Sequence, residues 1–328
     1  MKIFSIFLII ILITCNSCFY DIPIEVDMAK KKVETPFEYE FLHSSREVIL
    51  KQEHPWETQA LFYFNVIKKD SLWQMWYMSI GEEIYNDYFG AFNYAYSKDG
   101  ASWVKTLLNN QPIVEQFINY DEIENKYRMI GVVNIDGNYS TNIFESNNGI
   151  SWNNVKRLYN KSYDTQFSVI TKSDKFFIYQ RIWYDELRTV GRSIIDKNYK
   201  IIEHPRVMLL SNDKDFPHIY NNAASKVGKN ILLFPTLYND DDSFKITIGF
   251  ELENELYLTE TNITEDLYFD ESVKWGIVSP GLIPTDEINT FWLYYYGNSN
   301  SHNIVNYASN NVAKYYRIKI RIIPKDEA

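Results

Sequence analysis

A chain of 328 residues with 45% hydrophobic and 23% charged residues can build one large domain or two ordinary ones around a packed core, which excludes a mainly disordered protein. Its 43 acidic residues against 33 basic ones give a net charge of −10, which excludes nucleic acid as a partner, for want of cations to neutralise phosphates, and suits a neutral or cationic ligand better. The 8 Trp, 26 Tyr and 20 Phe favour strands, and Tyr and Trp also line sugar-binding clefts.

The chain opens with Met1-Lys2 and an apolar run from Ile3 to Ile13, broken only by Ser5. A positive start and so short an apolar run fit a secretory signal and fall short of a membrane span. Both cysteines follow at once, so no internal disulfide is available to the mature domain. The segment LITCNSC resembles the end of a bacterial lipoprotein signal: Ser17 favours Cys18 as the lipidated residue, and Cys15 is the alternative. An ordinary cleaved signal with two incidental cysteines also fits. Residues 1–18 are therefore expected to be an export signal and 19–45 a tether and lead-in. Residues 46–328 form the folded domain, anchored in the periplasm or at the cell surface.

Strand patterns then recur. Ser97-Lys98-Asp99-Gly100-Ala101-Ser102-Trp103 returns 49 residues later as Ser146-Asn147-Asn148-Gly149-Ile150-Ser151-Trp152. Asp-Gly or Asn-Gly makes a tight hairpin, with the trailing Trp packed on the turn. Apolar strand cores recur at Trp73–Met78, Lys126–Ile130, Phe176–Gln180, Ile231–Pro235 and Phe291–Tyr295. Each has a strand before it and an alternating strand after it: Ala91–Tyr96, Ser140–Glu145, Thr189–Ile194, Lys245–Phe250 and Asn303–Ala308. Five such units of three or four strands predict an all-β fold, a five-bladed β-propeller; a sandwich with uneven repeats explains the strand density but not the recurrence. The ring closes either through Arg46–Leu50 or through Tyr316–Ile322.

In a propeller the first strand of each blade lines the central channel, and ligands bind at one mouth. The five inner strands enter through His54-Pro55-Trp56-Glu57-Thr58-Gln59, Pro112-Ile113-Val114-Glu115-Gln116, Tyr163-Asp164-Thr165-Gln166, Asp215 to Asn222, and Trp275 to Pro280. Acids clustered in a channel push their pKa values apart, and glycoside hydrolysis needs one carboxyl protonated and one ionised. Glu57 and Asp164 form the expected acid/base pair, with Glu115 or Asp215 assisting. Glu57 and Asp164 equally fit carboxylates that accept hydrogen bonds from turn amides, and Glu115 fits a structural role. Trp56 and Tyr220 suit stacking on a sugar ring, and Gln166, Asn221 and Asn222 suit its hydroxyls. His54 and His218 stand beside them. Arg181, Arg188 and Arg192 suit an anionic sugar or a phosphate, although Arg192 also suits a buried tie between strands. The five histidines lack metal-ligand spacing, so no metal and no cofactor are expected. Asp240-Asp241-Asp242 reads as a solvated turn ahead of a calcium site.

HPWE with WQMWYMS, SKDGASW, YDTQ, RTVGRS and DFPHIYNNAA resemble bacterial glycoside hydrolase-like propeller proteins. These are similar in fold to the five-bladed invertase, arabinanase and levansucrase type of glycosidase. The resemblance runs from about Glu53 to Tyr238 and implies a base or nucleophile at Glu57, a modulating carboxylate at Glu115 and a general acid at Asp164. Glu57 stands where those relatives carry Asp, and Asp164 where they carry Glu. The resulting expectation is an exported, monomeric, lipid-anchored protein acting on oligosaccharide or polysaccharide as a glycoside hydrolase. The alternatives are a non-catalytic surface glycan-binding lipoprotein and a scaffold whose aromatics are all core.

Overall fold

The computed structural model describes residues 33–81, 90–108, 113–135, 137–241, 243–267, 269, 273–300 and 312–325. The export signal with Cys15 and Cys18, and most of the tether, lie outside the described residues. So does the expected strand Asn303–Ala308. The rest is nearly all strand, interrupted by a single turn of 3-10 helix at Pro55–Glu57 and one of α-helix at Thr264–Leu267.

Antiparallel sheets follow one another along the chain as the repeated strand cores predict. The first unit is Ala60–Lys69, Leu72–Ile80, Ala91–Ser97 and Val104–Leu107. The second is Ile113–Asp121, Lys126–Ile135, Asn138–Ser146 and Asn153–Tyr159, and the third is Ser168–Lys172, Lys175–Tyr184, Leu187–Asp196 and Ile201–Leu209. The fourth unit is split across its middle. His218–Asn221, Thr236–Tyr238 and Phe244–Ile246 form one half; Ser225–Val227, Asn230–Leu233, Gly249–Leu252 and Glu255–Leu258 form the other. Backbone hydrogen bonds from Phe234 to Asn222 (3.1 Å) and from Thr247 to Pro235 (3.0 Å) bridge the break, so the halves make one unit.

The fifth unit shows how the ring closes. Trp275–Val278 pairs with Thr290–Asn298, which pairs with Ala313–Pro324, which pairs in turn with the N-terminal strand Phe37–Lys51. Arg46–Leu50 and Tyr316–Ile322 therefore both serve closure, as neighbours in one sheet. The lead-in boundary at 45 is corrected accordingly, because the outermost strand begins at Phe37. Each unit packs on the next, and the first packs back on the fifth. That last seam is aromatic. Tyr315 stacks on Phe64 (4.0 Å between centroids, 7° between planes) and meets Tyr77 edge-on, while its hydroxyl donates to the Phe62 carbonyl at 2.6 Å. All of these rings are fully buried, so the seam joins sequence-distant strands through a dry aromatic contact.

At the axis the inner strands are joined through polar side chains. Gln166 Nε2 donates to the carbonyls of Phe64 (2.9 Å) and Gln116 (3.0 Å), and Gln116 Nε2 donates to the Tyr63 carbonyl (3.0 Å). Asn65 exchanges hydrogen bonds with the backbone of Ile118, Asn221 Nδ2 reaches the Val278 carbonyl at 3.0 Å, and Ser168 donates to Asn222. Strands that meet around an axis cannot share a ladder, so side-chain amides supply the missing partners.

The repeated turn motif is a hydrogen-bonded loop rather than a two-residue hairpin. The Ser97 hydroxyl accepts from the backbone of Asp99 and Gly100, and the Asp99 carboxylate accepts from Ala101 and Ser102. Only the glycine takes a positive φ, 74° at Gly100 and 73° at Gly149. Each turn is gripped by the preceding unit in the ring: Arg317 donates to the Asp99 carbonyl (2.9 Å) and Trp76 Nε1 to the Gly149 carbonyl (2.7 Å). A β-carbon on Gly149 would lie 2.7 Å from the Trp76 ring, whereas one on Gly228 (φ 58°) would meet nothing within 4 Å. Gly149→Ala should therefore cost about 2–4 kcal/mol in urea unfolding, from strain plus overpacking, and Gly228→Ala only about 1 kcal/mol from backbone strain. Equal losses would show that the Trp76 contact yields freely.

Candidate functional site

Three inner strands carry a bulge, and each bulge turns a polar side chain out of the ladder. Pairing skips Tyr63 between Phe62 and Phe64, Glu115 and Gln116 between Val114 and Phe117, and Tyr220 between Ile219 and Asn221. An extra residue in one strand kinks it and re-aims the side chain it carries. Glu115 also adopts φ 56°, and Asp164, just ahead of the third inner strand, adopts φ 53°. Left-handed backbone at a Glu and an Asp is uncommon, and such strain is held only where the surroundings over-determine it.

The side chains so aimed meet. Ser162 Oγ donates to both Glu115 oxygens (3.1 and 3.0 Å) and accepts from the Asp164 N–H at 2.8 Å. The Asp164 carboxylate is held by Arg181 Nη2. Arg181 lies over the Tyr220 ring, 4.9 Å from its centroid, and the Tyr220 and Tyr63 hydroxyls share a hydrogen bond of 3.2 Å. One constellation thus draws Tyr63, Glu115, Asp164 with Arg181, and Tyr220 from four successive units. Tyr63 and Ser162 were not among the residues expected from sequence. Tyr63 sits in the apolar run ALFYFNV, where nothing separates it from core; Ser162, two residues before Asp164, has the form of a turn residue.

The two carboxyl groups occupy opposite environments. The Asp164 side chain is 76% exposed, while Glu115 is 3% exposed and Arg181 2%. Burial first, and then the neighbouring Asp164 carboxylate, push the Glu115 carboxyl from 4.5 up to about 8, against the opposing pull of Ser162 and Arg181. Burial likewise raises the Tyr63 and Tyr220 hydroxyls, which remain protonated donors. The site therefore offers a neutral carboxylic acid beside an arginine-held carboxylate.

Other expected site residues have different surroundings. Glu57, expected to pair with Asp164, is fully buried beneath the 3-10 turn. Its Oε1 accepts the Tyr77 hydroxyl (2.6 Å), and its Oε2 accepts the Glu53 N–H (2.9 Å) and Lys105 Nζ (2.9 Å). Both oxygens are thus engaged away from the constellation, and the carboxyl beside Asp164 is that of Glu115 rather than of Glu57. Asp215 is exposed, with its N–H turned to the Asp213 carboxylate. Arg192 is buried between the third and fourth units, where it reaches Glu251 at 3.4 Å alongside Lys172 and Tyr179, so it ties strands together and does not face a ligand. Gln166, Asn221 and Asn222 each commit one side-chain atom to the axial ties, while Gln166 Oε1 and Asn221 Oδ1 are buried with no partner among the described residues. His54 stacks on Trp56 (4.3 Å, 6°), both half-buried on the 3-10 turn. His218 Nδ1 accepts from the Arg188 N–H (3.2 Å), and its Nε2 lies 3.4 Å from Asp240.

Because the native state holds a proton on Glu115 that the unfolded chain releases, this group's contribution to stability falls as pH rises from 4.5 through about 8. Glu115→Gln should therefore be increasingly more stable than the wild type across that interval, as read from urea midpoints. Parallel curves would mean that the buried carboxyl ionises normally.

No family model and no curated protein matches the sequence. Solved structures do match its fold. The alpha-L-arabinofuranosidase PaAbf62A of Podospora anserina, crystallised with cellotriose, superposes with a TM-score of 0.60 at 11% identity, over 83% of this chain and 95% of its own. A structure described with GH130 mannoside phosphorylases and glycoside hydrolases that target beta-1,2 mannosidic linkages in Candida mannan gives 0.57 at 15% identity, over 88% and 96%. A glycosyl hydrolase from Bacteroides ovatus gives 0.57 at 13%, over 85% and 93%. The chain has the β-propeller fold of these glycoside hydrolases.

Proposed function

We propose that the protein is a glycoside hydrolase whose general acid is Glu115 and whose base or nucleophile is Asp164. The observation that carries this reading is the juxtaposition of a buried carboxyl with an exposed, arginine-held one, both on left-handed backbone, at the meeting point of four units. Glycosidic cleavage asks for this division: one acid protonates the leaving oxygen while a carboxylate attacks the anomeric carbon or takes a proton from the attacking water. Ser162, hydrogen-bonded to both residues, fixes the Glu115 carboxyl. Arg181 keeps the Asp164 oxygens oriented. The fold neighbours support a glycan as substrate, and the leader read from the sequence would place the reaction on an exported, anchored domain.

Glu115→Gln should lower kcat by about 10²–10⁴-fold on glycans with a poor leaving group and far less on activated aryl glycosides, which need no proton. Asp164→Asn should fail on both. Products from a mixed glycan and aryl glycoside panel, read by mass spectrometry, test this. Wild-type rates in either variant would remove that residue from the chemistry. Glycan retained equally by wild type and both variants, with no product from any, would mark a binding protein instead.

A further inference from the structure

The hairpin joining Lys175–Tyr184 to Leu187–Asp196 carries Arg181 into the site and continues beyond it. Trp183 and Arg188 are partners across this hairpin, two positions past the Arg181–Val190 pair. Residues two apart on a strand, and partners directly across a ladder, share one face. Trp183 and Arg188 therefore stand on the face that bears Arg181, just outside the carboxyl pair. Trp183 is 58% exposed, a large aromatic left in water.

Among the described residues Arg188 has no counter-ion. Its guanidinium lies 5.0 Å from the Trp183 ring centroid and 5.9 Å from that of Tyr238, and its field acts on the Tyr220 hydroxyl. Its Nε is buried with no acceptor, while its two Nη groups reach solvent and donate to no described residue. Asp164 pairs with Arg181 and Asp240 lies 3.4 Å from His218 Nε2, while Asp185 and Glu186 sit exposed in the turn of the same hairpin and form no ion pair with Arg188. An arginine fixed by two rings presents its fork in a set orientation, the arrangement that suits a planar or tetrahedral oxyanion.

We propose that Arg188, backed by Trp183 and Tyr238, forms an oxyanion subsite beside the carboxyl pair. It takes either a carboxylate, sulfate or phosphate borne by a sugar whose ring stacks on Trp183, or free phosphate. As a statement about the substrate, this inference rests on the glycosidase reading; as a binding site it can be tested without it.

Calorimetry at low ionic strength, on the wild type and on Glu115→Gln, Arg188→Gln, Arg188→Lys and Trp183→Ala, would compare a galacturonate trisaccharide with its neutral methyl ester and with inorganic phosphate. The acid should bind about tenfold tighter than the ester, as expected for one charge-assisted contact. That preference should vanish in Arg188→Gln, persist in part in Arg188→Lys and persist in full in Glu115→Gln. Trp183→Ala should weaken acid and ester alike. Arg188-dependent binding of phosphate alone would identify the oxyanion as a free ion rather than a sugar substituent. Equal affinity for acid and ester with no phosphate bound, or a preference untouched by Arg188→Gln in a variant of unchanged melting temperature, would overturn the subsite. If the preference holds while no glycan is cleaved, the hydrolase assignment fails and the subsite stands.

Discussion

The site depends on strands that cannot stay regular where they converge. A regular inner strand sends alternate side chains into the two flanking sheet interfaces and leaves backbone facing the axis. The bulges at Tyr63, at Glu115–Gln116 and at Tyr220 interrupt that alternation at one level of the ring. The chemical groups at these positions thus arise from departures from ladder geometry. A change that straightened one inner strand would remove the one it carries.

The electrostatics follow from how unevenly water reaches the constellation. Glu115 and Arg181 are buried, whereas Asp164 is open, so the Asp164–Arg181 pair spans the boundary between protein and solvent. Arg181 offsets the charge of Asp164 but contacts only one of the two carboxyls. The second carboxyl lies in a place where a negative charge would be desolvated and repelled, and it keeps its proton. Elsewhere the protein treats buried charge differently. Glu57 has Lys105 and Glu251 has Arg192 and Lys172, and both acids are fully engaged. The contrast separates Glu57 and Glu251 from Glu115 by their partners rather than by their depth.

The architecture was legible because hydrophobic alternation and the paired SxDGxxW and SxNGxxW turns recur along the chain, and each strand recurrence corresponds to one unit, the fourth of them split between two sheets. Individual turns were less legible. The glycine's positive φ follows from its identity, but the grip of Arg317 and Trp76 on the neighbouring turns joins residues far apart in sequence. The site was legible as a set of strand entrances but not in its ranking. Glu57 sits in a richer local context than Glu115, with His54 and Trp56 beside it, and that context belongs to a capped 3-10 turn. Glu115, in a plain apolar strand, draws its chemistry from Ser162 and Asp164 in the next unit. Left-handed φ at Glu and Asp leaves no mark in composition, because nothing in the residue type announces it.

The sheet that seals the ring is built from the two ends of the folded chain, with Phe37 opposite Pro324. As the chain is synthesised, the first of these strands to emerge has no partner until Ala313–Pro324 has followed it. The early units can pair locally as they appear, because every one of their ladders joins neighbours in sequence. The outermost strand must instead wait, with its apolar Phe37 and Phe41 uncovered and an unpaired edge exposed. Completion of this fold thus waits on the emergence of Ala313–Pro324, and the interval before it is when the chain is most open to mispairing with a second copy of itself.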